Sequence, residues 1–86
     1  MDEETFEFAM VISVAPECDN EWAQALKLAK APTGMTMTVR SPGLVLFTVS
    51  AVQEFVAIEK AEQFLEDVAN TAGIHCALNA QPSHEV

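Results

Sequence analysis

Hydrophobic residues occupy every second position along the first patterned stretch of the chain, between positions 6 and 14. Phe6, Phe8, Met10 and Ile12 alternate there with residues that are mostly small, apolar or mildly polar. Because successive side chains of a strand point to opposite faces, this period of two predicts a first strand with one buried face.

Two further strands are predicted in the middle of the chain, between positions 35 and 50. Val, Thr and Phe are enriched there, and Ser-Pro-Gly at 41–43 interrupts the run with residues that favour turns. Pairing Val39 with Val45 places the apolar residues of both strands on one face, which an odd-length loop or a bulge permits. A type II Pro-Gly turn beside a bulge reconciles this register with the turn residues.

A helix is predicted before the hairpin. Asp19 is expected to be its N-cap, and Pro32 and Gly34 are expected to stop it. Its apolar residues recur at helical spacing and predict a buried stripe. They are Trp22, Ala25, Leu26 and Ala29.

A second, longer helix is predicted after the hairpin. Ser50 and Gln53 resemble a capping box at its start, and Gly73 suits a left-handed C-cap at its end. Its apolar residues recur at spacings of three and four: Ile58, Ala61, Leu65, Val68 and Ala72. Alternation then returns at 74–79, which predicts a short last strand before a polar tail.

The predicted order is strand, helix, strand, strand, helix, strand. Right-handed crossovers place the strands, numbered along the chain, in the order 4-1-3-2. The expected fold class is therefore α+β, a ferredoxin-like plait with a four-stranded antiparallel sheet and two helices on one face. The chain, 1–86, is expected to be a single domain with an ordered core at about 5–80 and frayed ends, including 81–86.

Composition narrows the possible partners. Thirteen Asp and Glu residues against four Lys and Arg give the chain of 86 residues a net charge of -9. Such a charge repels phosphate backbones and anionic lipids, so we expect no direct nucleic-acid or membrane binding. The N-terminal sequence MDEETFEF has neither the positive charge nor the long apolar run of a signal peptide, and no membrane span is expected.

The two cysteines, Cys18 and Cys76, are too few for the disulfide framework of a small secreted domain. We therefore expect free thiols and a cytoplasmic location. One alternative function is a soft-metal carrier, with Zn or Cu(I) held by Cys18, His75 and Cys76 at one end of the sheet. The Cys-x-x-Cys spacing of such carriers is absent, since Cys18 precedes Asp19-Asn20-Glu21.

Catalytic patterns are lacking as well. The sequence has no Ser, His and acid arrangement and no Gly-rich phosphate loop, so we expect neither an enzyme nor a bound cofactor.

The predicted sheet has one face that no helix covers, and that face is only half polar. Ala9, Val11, Leu46 and Ala77 are expected to form an apolar patch there, and such patches typically bind a partner or a second copy. The second helix carries an acidic stripe formed by Glu59, Glu62 and Glu66 beside Phe55. This stripe is either a solvated face or a docking surface for a basic protein. The residues predicted to interact are Val11, Thr36, Thr38, Leu44, Leu46, Thr48, Ala77, Phe55, Glu59, Glu62 and Glu66.

The leading hypothesis is a small acidic, non-enzymatic interaction module. It self-associates, as a homodimer or larger homo-oligomer, through the open sheet face or the edge of the second strand, MTMTV. The other alternative is an inhibitor of viral type that imitates nucleic-acid phosphates to bind a basic host protein.

Overall fold

The computed structural model of the protein describes residues 3–83 as one antiparallel sheet with two helices. The strands are β1 (Glu4–Val14), β2 (Met35–Ser41), β3 (Leu44–Ala51) and β4 (Leu78–Ser83), and the helices are α1 (Asp19–Leu28) and α2 (Glu54–Thr71). The sheet order is β2-β3-β1-β4, which is the predicted order 4-1-3-2 counted from the opposite edge. The predicted α+β ferredoxin-like plait is confirmed.

The hairpin register is also confirmed. Val39 pairs with Val45 and Ser41 pairs with Leu44, so the ladder shifts between Val39 and Ser41 and a bulge lies there. The predicted type II turn is wrong, because that turn needs a positive φ at Gly43, and Gly43 does not have one. Close approach accounts for the glycine instead: its carbonyl accepts a hydrogen bond of 2.9 Å from the Ile12 N–H, and a Cβ would lie 3.3 Å from the Ile12 oxygen.

The core lies between the sheet and the two helices. Phe8 faces Phe47 across β1 and β3, with ring centroids 6.0 Å apart, and Phe64 of α2 meets Phe47 edge-on. The fully buried residues of α2 recur every fourth position along one line: Ala57, Ala61, Leu65 and Ala69. Three of these four are alanines, so the backbone of α2 can lie close to its neighbours. The predicted stripe of α1 is buried at Trp22, Ala25 and Leu26.

Both predicted helix starts are wrong in detail. Asp19 is the first residue of α1 and not its cap, because a 3-10 turn at Pro16–Cys18 runs directly into the helix. Ser50 belongs to β3, where its N–H donates to the Gly34 carbonyl, and Gln53 occupies the N-cap of α2 without a side-chain cap bond. Helix α1 also ends at Leu28, before the predicted Pro32 stop.

The end of α2 matches the prediction and explains why the last strand starts later than predicted. Gly73 has a φ of 72°, and the N–H groups of Gly73 and Ile74 bond to the carbonyls of Asn70 and Ala69. This is the Schellman motif, which turns the buried Ile74 back onto the core.

The last strand therefore begins later than predicted. Residues 74–77 have no regular structure, and β4 begins at Leu78 rather than at position 74. Positions 81–83, assigned to the polar tail, pair with β1, and 84–86 lie outside the described residues.

Candidate interaction surfaces

The sheet face opposite the helices, called the open face below, carries the outward residues of all four strands. They alternate with the buried residues and are aligned by the ladder pairs. They are Thr5, Glu7, Ala9, Val11 and Ser13 of β1; Thr36, Thr38 and Ser41 of β2; Leu44, Leu46, Thr48 and Ser50 of β3; and Asn79, Gln81 and Ser83 of β4.

The middle of the open face is apolar. Ala9 pairs with Leu46 and Val11 with Leu44, so these four side chains lie on adjacent strands. Val11 is 46% exposed, Leu44 and Leu46 are half-buried, and Ala9 is only 1% exposed. Thr38 lies across from Leu46 on the other side. This arrangement is a small apolar centre surrounded by hydroxyl and amide groups.

The structure places all but one of the predicted strand residues on the open face, and the exception lies outside the sheet. Val11, Thr36, Thr38, Leu44, Leu46 and Thr48 all lie there. The placement of Ala77 is wrong: it is an exposed residue of the irregular segment before β4, and Gln81 pairs with Val11 instead. The β4 side of the apolar centre is therefore polar.

A shallow hollow lies beside the apolar centre. It encloses about 360 Å³ and is lined on the open face by Glu7, Thr38, Leu46 and Thr48. A larger groove of about 510 Å³ separates the two helices and is mostly apolar, with Lys30 and Asp67 among its lining residues. Leu28 lines this groove and is 79% exposed.

Charge is distributed unevenly between the two layers. Glu7 is the one charged residue in the open-face set, although the whole chain has a net charge of -9. The acidic residues of the helices are Asp19 and Glu21 in α1 and Glu54, Glu59, Glu62, Glu66 and Asp67 in α2. The two layers therefore present different surfaces: the paired positions of the open face carry little charge, with Arg40 exposed at the β2 bulge, and the helices are acidic.

The predicted acidic stripe lies on the outer side of α2. Glu59 and Glu66 are exposed, Glu62 is half-buried, and Phe55 is 58% exposed. Within residues 3–83 none of these three carboxylates forms an ion pair; the pair that is present joins Lys60 and Glu3 at 3.9 Å. The stripe is therefore open to an external partner or to solvent.

The cysteines depart from the prediction of two free thiols. Cys18 and Cys76 form a disulfide, with Cα atoms 6.4 Å apart. The two cysteines meet because the connection from β1 to α1 and the connection from α2 to β4 lie at the same end of the sheet. The argument for a reducing compartment from free thiols no longer holds.

The disulfide also affects the metal alternative. It occupies both sulfur atoms, so this form of the protein has no thiolate for a soft metal, and His75 is exposed beside it. Within residues 3–83 no group of three or more His, Cys, Asp or Glu side chains is arranged to hold a metal ion.

A second contact at the disulfide end was not anticipated from the sequence. Trp22 is fully buried, and its Nε1–H donates a hydrogen bond of 3.0 Å to the Pro42 carbonyl in the hairpin turn. A buried Trp usually finds a hydrogen-bond acceptor, so Trp22 was the feature of the sequence that could have indicated such a contact. The contact fastens α1 to the hairpin.

Comparisons with known proteins do not assign the chain to a class. It matches no protein-family model, and no curated protein sequence is significantly similar to it. Neither of the two helices described is long and apolar enough to cross a lipid bilayer.

Proposed function

We propose that this protein is a small non-enzymatic interaction module that self-associates through its open face and presents its acidic helices to a protein partner. The observation that carries the proposal is the separation of charge between the two layers. Depletion of charge together with exposed apolar side chains is typical of interface centres. The open face has both features, with Glu7 as its one charged residue and Val11 46% exposed at its centre.

The same separation removes the electrostatic objection to pairing two copies that each carry a charge of -9. In a face-to-face pair the sheets lie about 10 Å apart, and each helix layer lies on the far side of its own sheet. The two acidic layers are then separated by well over the Debye length, about 8 Å at physiological ionic strength. Their mutual repulsion is therefore screened.

The size of the open face sets the expected strength of the pair. Four strands about 4.8 Å apart, of 6 to 11 residues each rising about 3.3 Å, present a face of roughly 20 by 26 Å. That projected area, about 500 Å² per copy, is below the roughly 800 Å² per partner of a standard interface. The proposed dimer is therefore reversible and forms at micromolar concentrations and above.

Val11 and Val52 provide a matched test of this dimer. They are 46% and 45% exposed, but Val52 lies in the connection between β3 and α2, outside the open face. We expect Val11→Glu to abolish dimer formation, because it buries a charge in the interface, and Val52→Glu to leave it unchanged. Sedimentation equilibrium over a concentration series measures both, and circular dichroism confirms that each variant is folded.

Two outcomes would contradict self-association through the open face. One is a wild-type protein that stays monomeric up to several hundred micromolar. The other is a dimer that Val11→Glu and Val52→Glu weaken equally, since the added negative charge alone would then explain the loss.

The acidic stripe and Phe55 support a basic protein partner, with the charges giving orientation and association rate and the ring giving buried area. We expect capture of partners from lysate to be lost as salt rises and in the triple variant Glu59→Gln, Glu62→Gln, Glu66→Gln. The control variant Glu17→Gln, Asp19→Asn, Glu21→Gln removes as much charge from the start of α1 and should retain capture.

Equal capture by the two triple variants would show that binding follows net charge and not the stripe. Competition by duplex DNA separates the nucleic-acid mimic from other basic partners, because a partner of a mimic releases the protein when DNA is added. A cytoplasmic location stays a prediction.

A further inference from the structure

The Cys18–Cys76 disulfide joins two connections rather than two regular elements. Cys18 ends the 3-10 turn before α1, and Cys76 lies in the irregular segment 74–77 before β4. Cys18 is 7% exposed, whereas Cys76 is half-buried, so a reagent from solvent reaches the Cys76 sulfur more easily.

The bond is a small part of the core: Cys18 belongs to the buried cluster and Cys76 packs against it. The sheet and both helices share one continuous cluster of buried residues, which includes Met10, Phe47 and Leu65. The Trp22 to Pro42 hydrogen bond holds the same end of the molecule independently. Opening the disulfide therefore leaves most of the core in place and releases chiefly residues 75–77, because Ile74 stays buried and bonded to the Ala69 carbonyl.

We propose that Cys18–Cys76 is a reversible redox site, a clasp over the start of β4 that a dithiol reductant opens. Strand β4 is suited to such control because it is an edge strand that pairs only with β1 and contains Pro82, which donates no ladder hydrogen bond. Its open-face residues Asn79 and Gln81 flank Val11 and Ser13. Opening the disulfide makes β4 separate from β1 more often. It also weakens the open-face dimer, and this consequence rests on the proposed function.

The disulfide opens by thiol–disulfide exchange, and the dithiol reductant supplies the two electrons. One thiolate of the dithiol attacks the Cys76 sulfur, the Cys18–Cys76 bond breaks, and Cys18 leaves as a thiolate that takes up a proton. The second thiolate of the reductant then attacks the mixed disulfide and releases Cys76, which is protonated in turn. The protein gains two electrons and two protons, and the reductant becomes a disulfide.

The surrounding charge favours one class of reductant over another. Glu17 and Asp19 flank Cys18 and are exposed. Their field repels anionic thiols, so a neutral dithiol such as dithiothreitol should react faster than glutathione at equal thiolate concentration. Added salt should accelerate the glutathione reaction more than the dithiothreitol reaction, because the glutathione thiolate carries the greater negative charge.

Hydrogen exchange followed by mass spectrometry tests the clasp in the full chain. Oxidised protein, protein reduced with dithiothreitol, reoxidised protein and the variant Cys18→Ser, Cys76→Ser are compared under identical conditions. We expect exchange in 74–83 to be at least tenfold faster in the reduced protein and in the variant, to remain faster than in β3, whose exchange follows global unfolding, and to return to its original rate after reoxidation.

Unchanged protection of 74–83 on reduction would overturn the clasp. Equal exchange rates in 74–83 and β3 of the reduced protein would also overturn it, because the bond would then stabilise only the fold as a whole. Sedimentation of the same samples separates the two proposals. If exchange responds to reduction but the wild-type protein never dimerises, self-association fails and the clasp stands. If a dimer forms and neither it nor the exchange responds, the clasp fails alone.

Discussion

Trp22→Ala is expected to lower the free energy of unfolding by about 3–5 kcal/mol, the range for removal of a large buried aromatic side chain. Trp22 is fully buried in the shared core, and its indole N–H also bonds to the Pro42 carbonyl 3.0 Å away. The substitution therefore leaves a cavity under α1 and detaches that helix from the hairpin turn. At about 4–8 °C per kcal/mol for a chain of this size, the midpoint of thermal unfolding should fall by more than 10 °C.

Two further variants assign this loss to its causes. Trp22→Phe keeps much of the buried ring and removes the N–H donor, so we expect a smaller loss of about 1–2 kcal/mol. Leu28→Ala removes a side chain of the same helix that is 79% exposed, and should change stability by less than about 0.5 kcal/mol. Urea titrations of the three variants would contradict the packing described here if Trp22→Ala and Leu28→Ala had equal effects.

The parts of the fold that periodicity specifies were predictable from the sequence. Alternation in β1 and β3 distinguishes inward from outward residues, and agreement between the two faces selects the pairing of Val39 with Val45. Seven residues of the open face, Ala9 among them, were found in this way, because a strand that buries one side fixes the other side as well. The positive φ of Gly73 was predictable for a local reason, since glycine adopts that conformation without steric cost.

The parts that depend on three-dimensional approach were not predictable. Ile74, Cys76 and Leu78 alternate as a strand would, yet Ile74 is buried as the hydrophobic residue of a helix cap and the strand begins only at Leu78. That shift removed Ala77 from the open face. The disulfide was missed for a different reason: Cys18 and Cys76 were expected at the same end of the sheet, but two cysteines were expected to stay reduced as free thiols.

The layering of charge follows from the same patterns. Strands with one buried face leave short polar or apolar residues outward, whereas the helices carry carboxylates on their solvent side. A chain this acidic would usually repel its own copies, and the open face, with few charged side chains, is a broad surface of the described residues on which repulsion is weak. The proposed dimer and the proposed basic partner thus use opposite layers and do not compete.

Removing the disulfide is expected to lower the free energy of unfolding by about 4 kcal/mol in the chain-entropy treatment, within the wider measured range of about 2–5 kcal/mol. The bond closes a loop across a sequence separation of 58 residues, so the oxidised unfolded chain loses much of its conformational freedom. Cys18→Ser, Cys76→Ser and the double variant should be destabilised to a similar extent, because each breaks the same bond. Denaturant titrations with and without dithiothreitol measure the effect.

The reductant supplies the control for this prediction. Dithiothreitol should lower the unfolding midpoint of the wild-type protein to that of the double variant and leave the double variant unchanged. A wild-type midpoint that does not respond, together with alkylation of two thiols before any reductant is added, would show that Cys18 and Cys76 are not paired. Because this stability change acts mainly through the unfolded chain, it is independent of the local opening of β4 that hydrogen exchange detects in the folded protein. A large shift in midpoint with unchanged exchange in 74–83 would therefore identify a permanent staple, and a shift in both would identify a staple that also works as the clasp.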